Sequence, residues 1–507
     1  MRGASVDPTA ISYGAGISAC EKGGKWQHAL TLHGGMRDAK LEPSVICFSA
    51  AVSACEKCGQ WRPALALLDE LRETSLQLDV IVYNAGVSAC EKGGQWQRAL
   101  SLLRDMGHVD IELNVISYSS GISACEKDGQ WQQAVLLLVE LRELRLEPNT
   151  ITYNAGISAC EKGSQWEHAL SLFRHMVEAE VGPDTISFNA GISACEKSGE
   201  WQHALSLLRD MRDMKSEPDV VSYCAGTSAC EKGGQWQRSL WLLSEMEDLK
   251  LDPGIVGYCA GISACGTGLA WQQALSLFGD IRSAALEPNT ISYNAALSAC
   301  EKGLQWQRAL SLLRELGKAK LELCVISFNA GISACEKGGQ WQRALSLLKE
   351  LRGERLEPNT VSYNAGISSC EKCEQWHRAL ALLREMREIK LDQDEISYNA
   401  GISACEKGGQ WEQALSLLRE MGTASLKPGR ISCSAGISAC QKGGQWQQAL
   451  LLLSEMGDVR LEPDIVSYSS GAGACESSGQ GQHVLSLLSS MHSSLWSRGS
   501  LSRSRVV

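Results

Sequence analysis

The chain repeats itself every 35 residues without an insertion or a deletion. Counted from the cysteine of stretches such as Ala-Cys-Glu-Lys, the period runs Cys20, Cys55, Cys90 and onward to Cys475 within 507 residues. Length alone would suggest about three or four domains. A fixed period overrides that expectation, because each repeat is one supersecondary element that buries its apolar face only by stacking on the next. Fourteen repeats occupy residues 10–499. Residues 1–9, "MRGASVDPT", align with the tail of a repeat such as "MRDAKLEPS", so the chain is expected to begin inside a repeat, with Met1 an internal methionine of a longer product. Residues 500–507 close a Ser/Arg-rich tail, running from Ser493, whose composition predicts disorder.

Each repeat is numbered 1 to 35 with its tyrosine at position 4; residues 395–429 are representative. Positions 2 to 14 read as a first helix and 17 to 29 as a second, joined by a glycine turn such as Gly408-Gly409. In the second helix Trp411, Ala414, Leu415, Leu418 and Met421 share one side at helical spacing, with Gln413, Ser416 and Glu420 on the other. In the first, Tyr398, Gly401, Ile402 and Cys405 share a face, while Ile396, Asn399, Ser403 and Lys407 form a stripe opposite it. The first face packs; the second has a polar character that packing does not require. The expected fold is all-α, a right-handed α-solenoid of stacked helical hairpins in which the Asn399 and Lys407 equivalents form two lines along one surface.

A net charge of -10 and a pI of about 5.6 exclude a generally basic nucleic-acid binder, although they do not describe any one face. Fourteen of the 21 cysteines occupy one repeat position. Neighbouring helices lie about 8–10 Å apart, too far for a disulfide or a tetrahedral metal, so this ladder reads as packing in a reducing compartment. Two Cys-x-x-Cys pairs, Cys55 with Cys58 and Cys370 with Cys373, have no partner pair, and the nine histidines are scattered. No catalytic constellation, cofactor site or metal site is expected. Nor does an apolar run of transmembrane length, a signal peptide or an arginine-rich leader open the chain.

A 35-residue period, Tyr398 at position 4, "SLLREM" in the second helix and proline at 34 resemble the pentatricopeptide repeat family over nearly the whole chain. Ala400, Gly401 and Trp411 depart from its commoner residues at packing positions. The resemblance implies a P-type array that binds single-stranded RNA, one base per repeat, in a chloroplast or mitochondrion. It further implies that positions 5 and 35 read the base, the aliphatic at 2 sandwiches it, and lysine at 13 meets the phosphate. A monomer that joins protein partners in RNA processing or stabilisation is expected.

On that reading eight repeats carry readable pairs. Ser49 with Asp79 implies guanine; Asn84 with Asn114, a pyrimidine; Ser119 with Asn149, adenine. Asn154 with Asp184 and Asn189 with Asp219 both imply uracil. Further along, Asn329 with Asn359 implies a pyrimidine, Asn364 with Asp394 uracil, and Ser434 with Asp464 guanine. Asn399 occupies position 5 of a repeat that ends in Gly429, where no base is assigned; repeats 1, 7, 8, 9 and 14 are likewise unassigned. The phosphate row is Lys22, Lys57, Lys92, Lys127, Lys162, Lys197, Lys232, Lys302, Lys337, Lys372, Lys407 and Lys442. The glutamate at position 12 is expected to lie beside this stripe and to weaken its field. Each position has a second physical role open to it: packing between repeats at 2, a helix cap at 35, and a cation at a helix C-terminus at 13. A protein-binding solenoid without RNA specificity is the competing class.

Overall fold

The computed structural model describes residues 9–74, 79–109, 111–319, 321–424, 426–458 and 461–487. The tail segments 1–8 and 500–507, and the last repeat beyond 487, lie outside them. Every described element is a helix, from α1 (Ala10–Lys22) to α27 (Ile465–Ser477) in chain order, followed by a helical turn over 481–487. The chain divides into two compact units, Met1–Ala264 and Cys265–Val507.

Most first helices start where the side chain at position 35 caps them, although Ser44, Cys324 and Gly429 make no such bond. Asp184 lies in extended backbone before α11 (Thr185–Ser198); its carboxylate accepts from the backbone N–H of Ser187, whose hydroxyl accepts in return from the Asp184 N–H. This reciprocal box satisfies donors that a helix start leaves open. The helix ends in a Schellman-type turn: in α5 (Val80–Lys92), Gly94 takes φ +64° and the Gln95 N–H reaches back to the Cys90 carbonyl at 2.9 Å. The left-handed site at position 15 is glycine in ten repeats but Ser164, Leu269, Leu304 and Glu374 in four. Left-handed backbone costs a branched L-residue about 1 kcal/mol or more. Leu304→Gly should therefore raise stability by about 1 kcal/mol, read as a higher midpoint of thermal unfolding.

Within each unit the first helices pack on one another in succession, as α7 (Val115–Lys127) does on α9 (Thr150–Lys162), whereas each second helix touches its own first helix and the next one. The first helices therefore form a closed layer, and its outward stripe is continuous within a unit. The buried stripe is as expected: Tyr398, Ile402, Cys405, Ala414, Leu418 and Met421 are all buried. Trp411 differs. It is only half-buried, because its indole covers the turn of the next repeat, where a Cβ added to Gly443 would lie 2.3 Å from the ring. Gly401 is constrained too: a Cβ there would lie 2.4 Å from the Leu383 Cδ1 of the preceding repeat. The glycine thus gives that leucine room, at the usual cost in helix propensity.

Candidate nucleic-acid interface

Position 2 is largely uncovered. All fourteen of its aliphatics are exposed, from 84% at Ile11 to 55% at Val466, although every repeat has a buried face available. Inter-repeat packing, the other role open to this position, therefore covers less than half of each side chain. A regular file of exposed isoleucine and valine leaves apolar surface open along these helices.

Beside each aliphatic stands a small polar network that spans two repeats. The Asn154 Nδ2 donates to the Asp184 Oδ1 at 3.0 Å, and the Ser187 Oγ of the following repeat donates to the Asn154 Oδ1 at 2.5 Å. Asn189, Asp219 and Ser222 form the same triangle, as do Asn364, Asp394 and Ser397. Asn84 with Asn114 and Asn329 with Asn359 reproduce it with an amide in place of the carboxylate. Capping at position 35 and juxtaposition with position 5 therefore occur together. The Asp184 Oδ1 receives two N–H donors, Ser187 N and Asn154 Nδ2, with the Ser187 Oγ also 2.9 Å away, and its Oδ2 keeps open lone pairs. Burial pushes the carboxyls of Asp184, Asp219 and Asp394 up, but the hydrogen bonds from serine and asparagine outweigh it and leave all three below the ordinary value. The pair thus shows an open carboxylate oxygen next to the second amide hydrogen of the asparagine. An Asn-Asn pair shows donors alone, because the Asn114 Oδ1 is committed to Ser117.

The serine pairs are looser. Ser119 donates to the Val115 carbonyl at 2.7 Å and accepts from the Thr152 hydroxyl at 2.6 Å, whose oxygen also lies 2.8 Å from the Asn149 Oδ1. Ser434 reaches the Asp464 Oδ1 at 3.4 Å, and burial of that carboxyl is again outweighed by hydrogen bonds and by Arg430, which hold it low. Among the described residues no hydrogen bond joins Ser49 to Asp79, which caps its helix through the Ile81 N–H. Asn399 keeps its bond from Ser432 at 2.5 Å, while Gly429 offers it no side chain.

The lysine row is not a bare line of cations. Ten of its members pair with the position-12 glutamate of the preceding repeat at 2.9–3.3 Å. In the first unit these are Lys57, Lys92, Lys127, Lys162, Lys197 and Lys232; in the second, Lys337, Lys372, Lys407 and Lys442. This corrects the expected place of the glutamate. It is off the stripe of its own helix, but it reaches across to the lysine 36 residues later, and Glu371 also accepts from Ser403 at 3.0 Å. No ion pair is described for Lys22 or Lys302; before Lys302 the acidic position is Gly266. Such exposed pairs contribute only about 0–1 kcal/mol, so a phosphate can compete for the lysine.

The cysteine ladder is buried and packed except at Cys20, which is half-buried: Cys90, Cys300 and Cys370 have their thiols pushed up to about 11 by burial, and Cys125 and Cys405 to about 12. Cys55, in the first Cys-x-x-Cys pair, is likewise raised to about 11, by burial and then by the nearby Cys58. These thiols suit a core and not a nucleophile. Among the described residues no helix is long and apolar enough to cross a membrane.

Comparison with known proteins agrees with this arrangement. Sequence models of the family match the chain as a pentatricopeptide repeat domain over residues 101–162, 241–302 and 311–373. They match it as the PPR repeat family over 148–195 and 183–226 and as the PPR repeat over 81–110, 291–321, 361–391 and 396–425. No curated protein matches the sequence. Among solved structures, the pentatricopeptide repeat protein PPR10 from maize superimposes with a TM-score of 0.62 at 19% identity, over 97% of this chain and 80% of that one. PPR10 in complex with an 18-nt psaJ RNA element covers the same shares at a TM-score of 0.53 and 19% identity. Period, hairpin, capped first helix and matched segments lead to one conclusion: the chain belongs to the pentatricopeptide repeat family.

Proposed function

We propose that the protein binds single-stranded RNA, one base per repeat, and does no chemistry on it. The observation that carries this reading is the exposed aliphatic at position 2 standing next to a polar pair with unused donors and acceptors. Together they offer an apolar platform for a base and hydrogen-bonding groups for its edge, the two things an unstacked base needs. Asparagine with aspartate suits uracil, whose N3–H can donate to the open carboxylate oxygen while a carbonyl accepts from the amide. Asparagine with asparagine suits a pyrimidine that presents acceptors. PPR10, which shares the fold, is known in complex with an RNA element, and family membership directs the reading to a chloroplast or mitochondrial transcript whose processing or stability is served.

Because ten lysines are already paired with glutamate, affinity should fall with added salt less steeply than twelve free phosphate contacts would require. Freeing three of them with Glu336→Gln, Glu371→Gln and Glu406→Gln should steepen the slope of log affinity against log salt by about two, at about 0.7 per contact on a single strand. Filter binding of a single-stranded RNA across a salt series measures it. Tight binding to a protein from cell extract, with no salt-dependent RNA binding by either form, would point instead to the protein-binding class.

A further inference from the structure

Every asparagine at position 5 has the same neighbour 33 residues later. Asn84, Asn154, Asn189, Asn294, Asn329, Asn364 and Asn399 are followed at position 3 of the next repeat by Ser117, Ser187, Ser222, Ser327, Ser362, Ser397 and Ser432. In all seven cases the serine Oγ lies 2.5–2.6 Å from the asparagine Oδ1 and donates to it. The non-hydroxyl residues at position 3 of later repeats, Cys47, Val82 and Gly257, follow repeats whose position 5 is Gly14, Ser49 and Cys224. The hydroxyl is absent only where there is no amide to hold.

We infer that the serine at position 3 is a further specificity-determining residue, a positioning group that decides which end of the asparagine amide faces the RNA. The inference rests on the base-reading proposed above. An amide has an acceptor end and a donor end of nearly the same shape, so an unrestrained asparagine can present either one to a base. Here the serine is buried and its own environment fixes its direction. The Ser187 Oγ accepts from the Asp184 N–H at 3.1 Å, and of the two acceptors in reach of its single proton the Asn154 Oδ1 at 2.5 Å is nearer than the Asp184 Oδ1 at 2.9 Å, which already accepts from the Ser187 N–H and the Asn154 Nδ2. The oxygen is thereby held inward and both N–H groups turn outward, one to position 35 and one to the open surface. Where position 35 has a side chain, that group helps; at Asn399, which faces Gly429, the orientation rests on Ser432. Three residues from two repeats, at 5, 35 and the following 3, therefore make up one reading slot.

The test is Ser187→Ala together with Ser222→Ala in the full chain, with affinity measured for RNAs carrying uracil or adenine opposite the Asn154 and Asn189 repeats. Wild type should prefer uracil, and the double variant should lose about fivefold or more of that preference, the scale of one hydrogen bond per slot. Ser187→Thr with Ser222→Thr, which keeps the hydroxyl, should restore it. Ser292→Ala is the control for a simple capping defect: its hydroxyl donates to the Asn289 carbonyl, and the preceding repeat has Cys259 at position 5. It should leave the preference untouched. Full uracil preference in the alanine variant, or an equal loss in affinity for all RNAs, would overturn the inference and leave base reading in place. No preference in wild type would overturn both.

Discussion

Serine in place of Ile151, Ile186 and Val221 together should weaken binding of a matched single-stranded RNA by about a hundredfold while leaving the fold intact. Each of these side chains is more than half exposed, so its removal should change folding stability by no more than about 0.5 kcal/mol. In the complex each would lose its contact with a base. Covering roughly 40 Å² of apolar surface at about 25 cal/mol per Å² is worth about 1 kcal/mol, and three such losses give about 3 kcal/mol. Equilibrium binding with a thermal melt of the same preparation checks both halves. The loss should appear for RNAs of any sequence, which separates this file of residues from the polar slots beside it.

The largest expected loss of stability is at Tyr223. Its ring is fully buried, its hydroxyl accepts from the Arg212 Nη2 at 3.0 Å, and Arg212 stands 5.7 Å from the ring centroid and pairs with Glu245 of the next repeat at 2.7 Å. Tyr223→Ala should cost about 3–5 kcal/mol, through the cavity and the broken link between repeats. In a stacked array contacts are between neighbours, so the damage should be local. Amide hydrogen exchange should show lost protection in α12 (Trp201–Asp213) and α13 (Val220–Lys232), with protection retained in α21 (Thr360–Lys372).

The hairpin and its packing residues were legible because they follow helical spacing within one repeat. Tyr398, Ile402, Cys405 and Met421 fall on a buried face by their positions alone, and the stripe of Ile396, Asn399 and Lys407 is outward as read. What escaped is what joins one repeat to the next. The glutamate of position 12 appears to one side of its own helix wheel, yet it meets a lysine 36 residues on. Trp411 belongs by spacing to the buried stripe and yet covers a glycine of the following turn. The serine at position 3 reads as an ordinary partner in a helix cap, and only the stacked geometry brings its hydroxyl to the asparagine 33 residues earlier. Its one signal in the sequence was the coincidence of serine with asparagine at that separation.

The central claim is that positions 5 and 35 read bases in register with the repeats. Selection of bound molecules from a randomised single-stranded RNA pool by the full chain tests it most directly. The account predicts enrichment, from 5′ to 3′, of guanine, pyrimidine, adenine, uracil, uracil, the order set by Ser49 with Asp79 through Asn189 with Asp219. A pool that binds without enrichment for that order would contradict it.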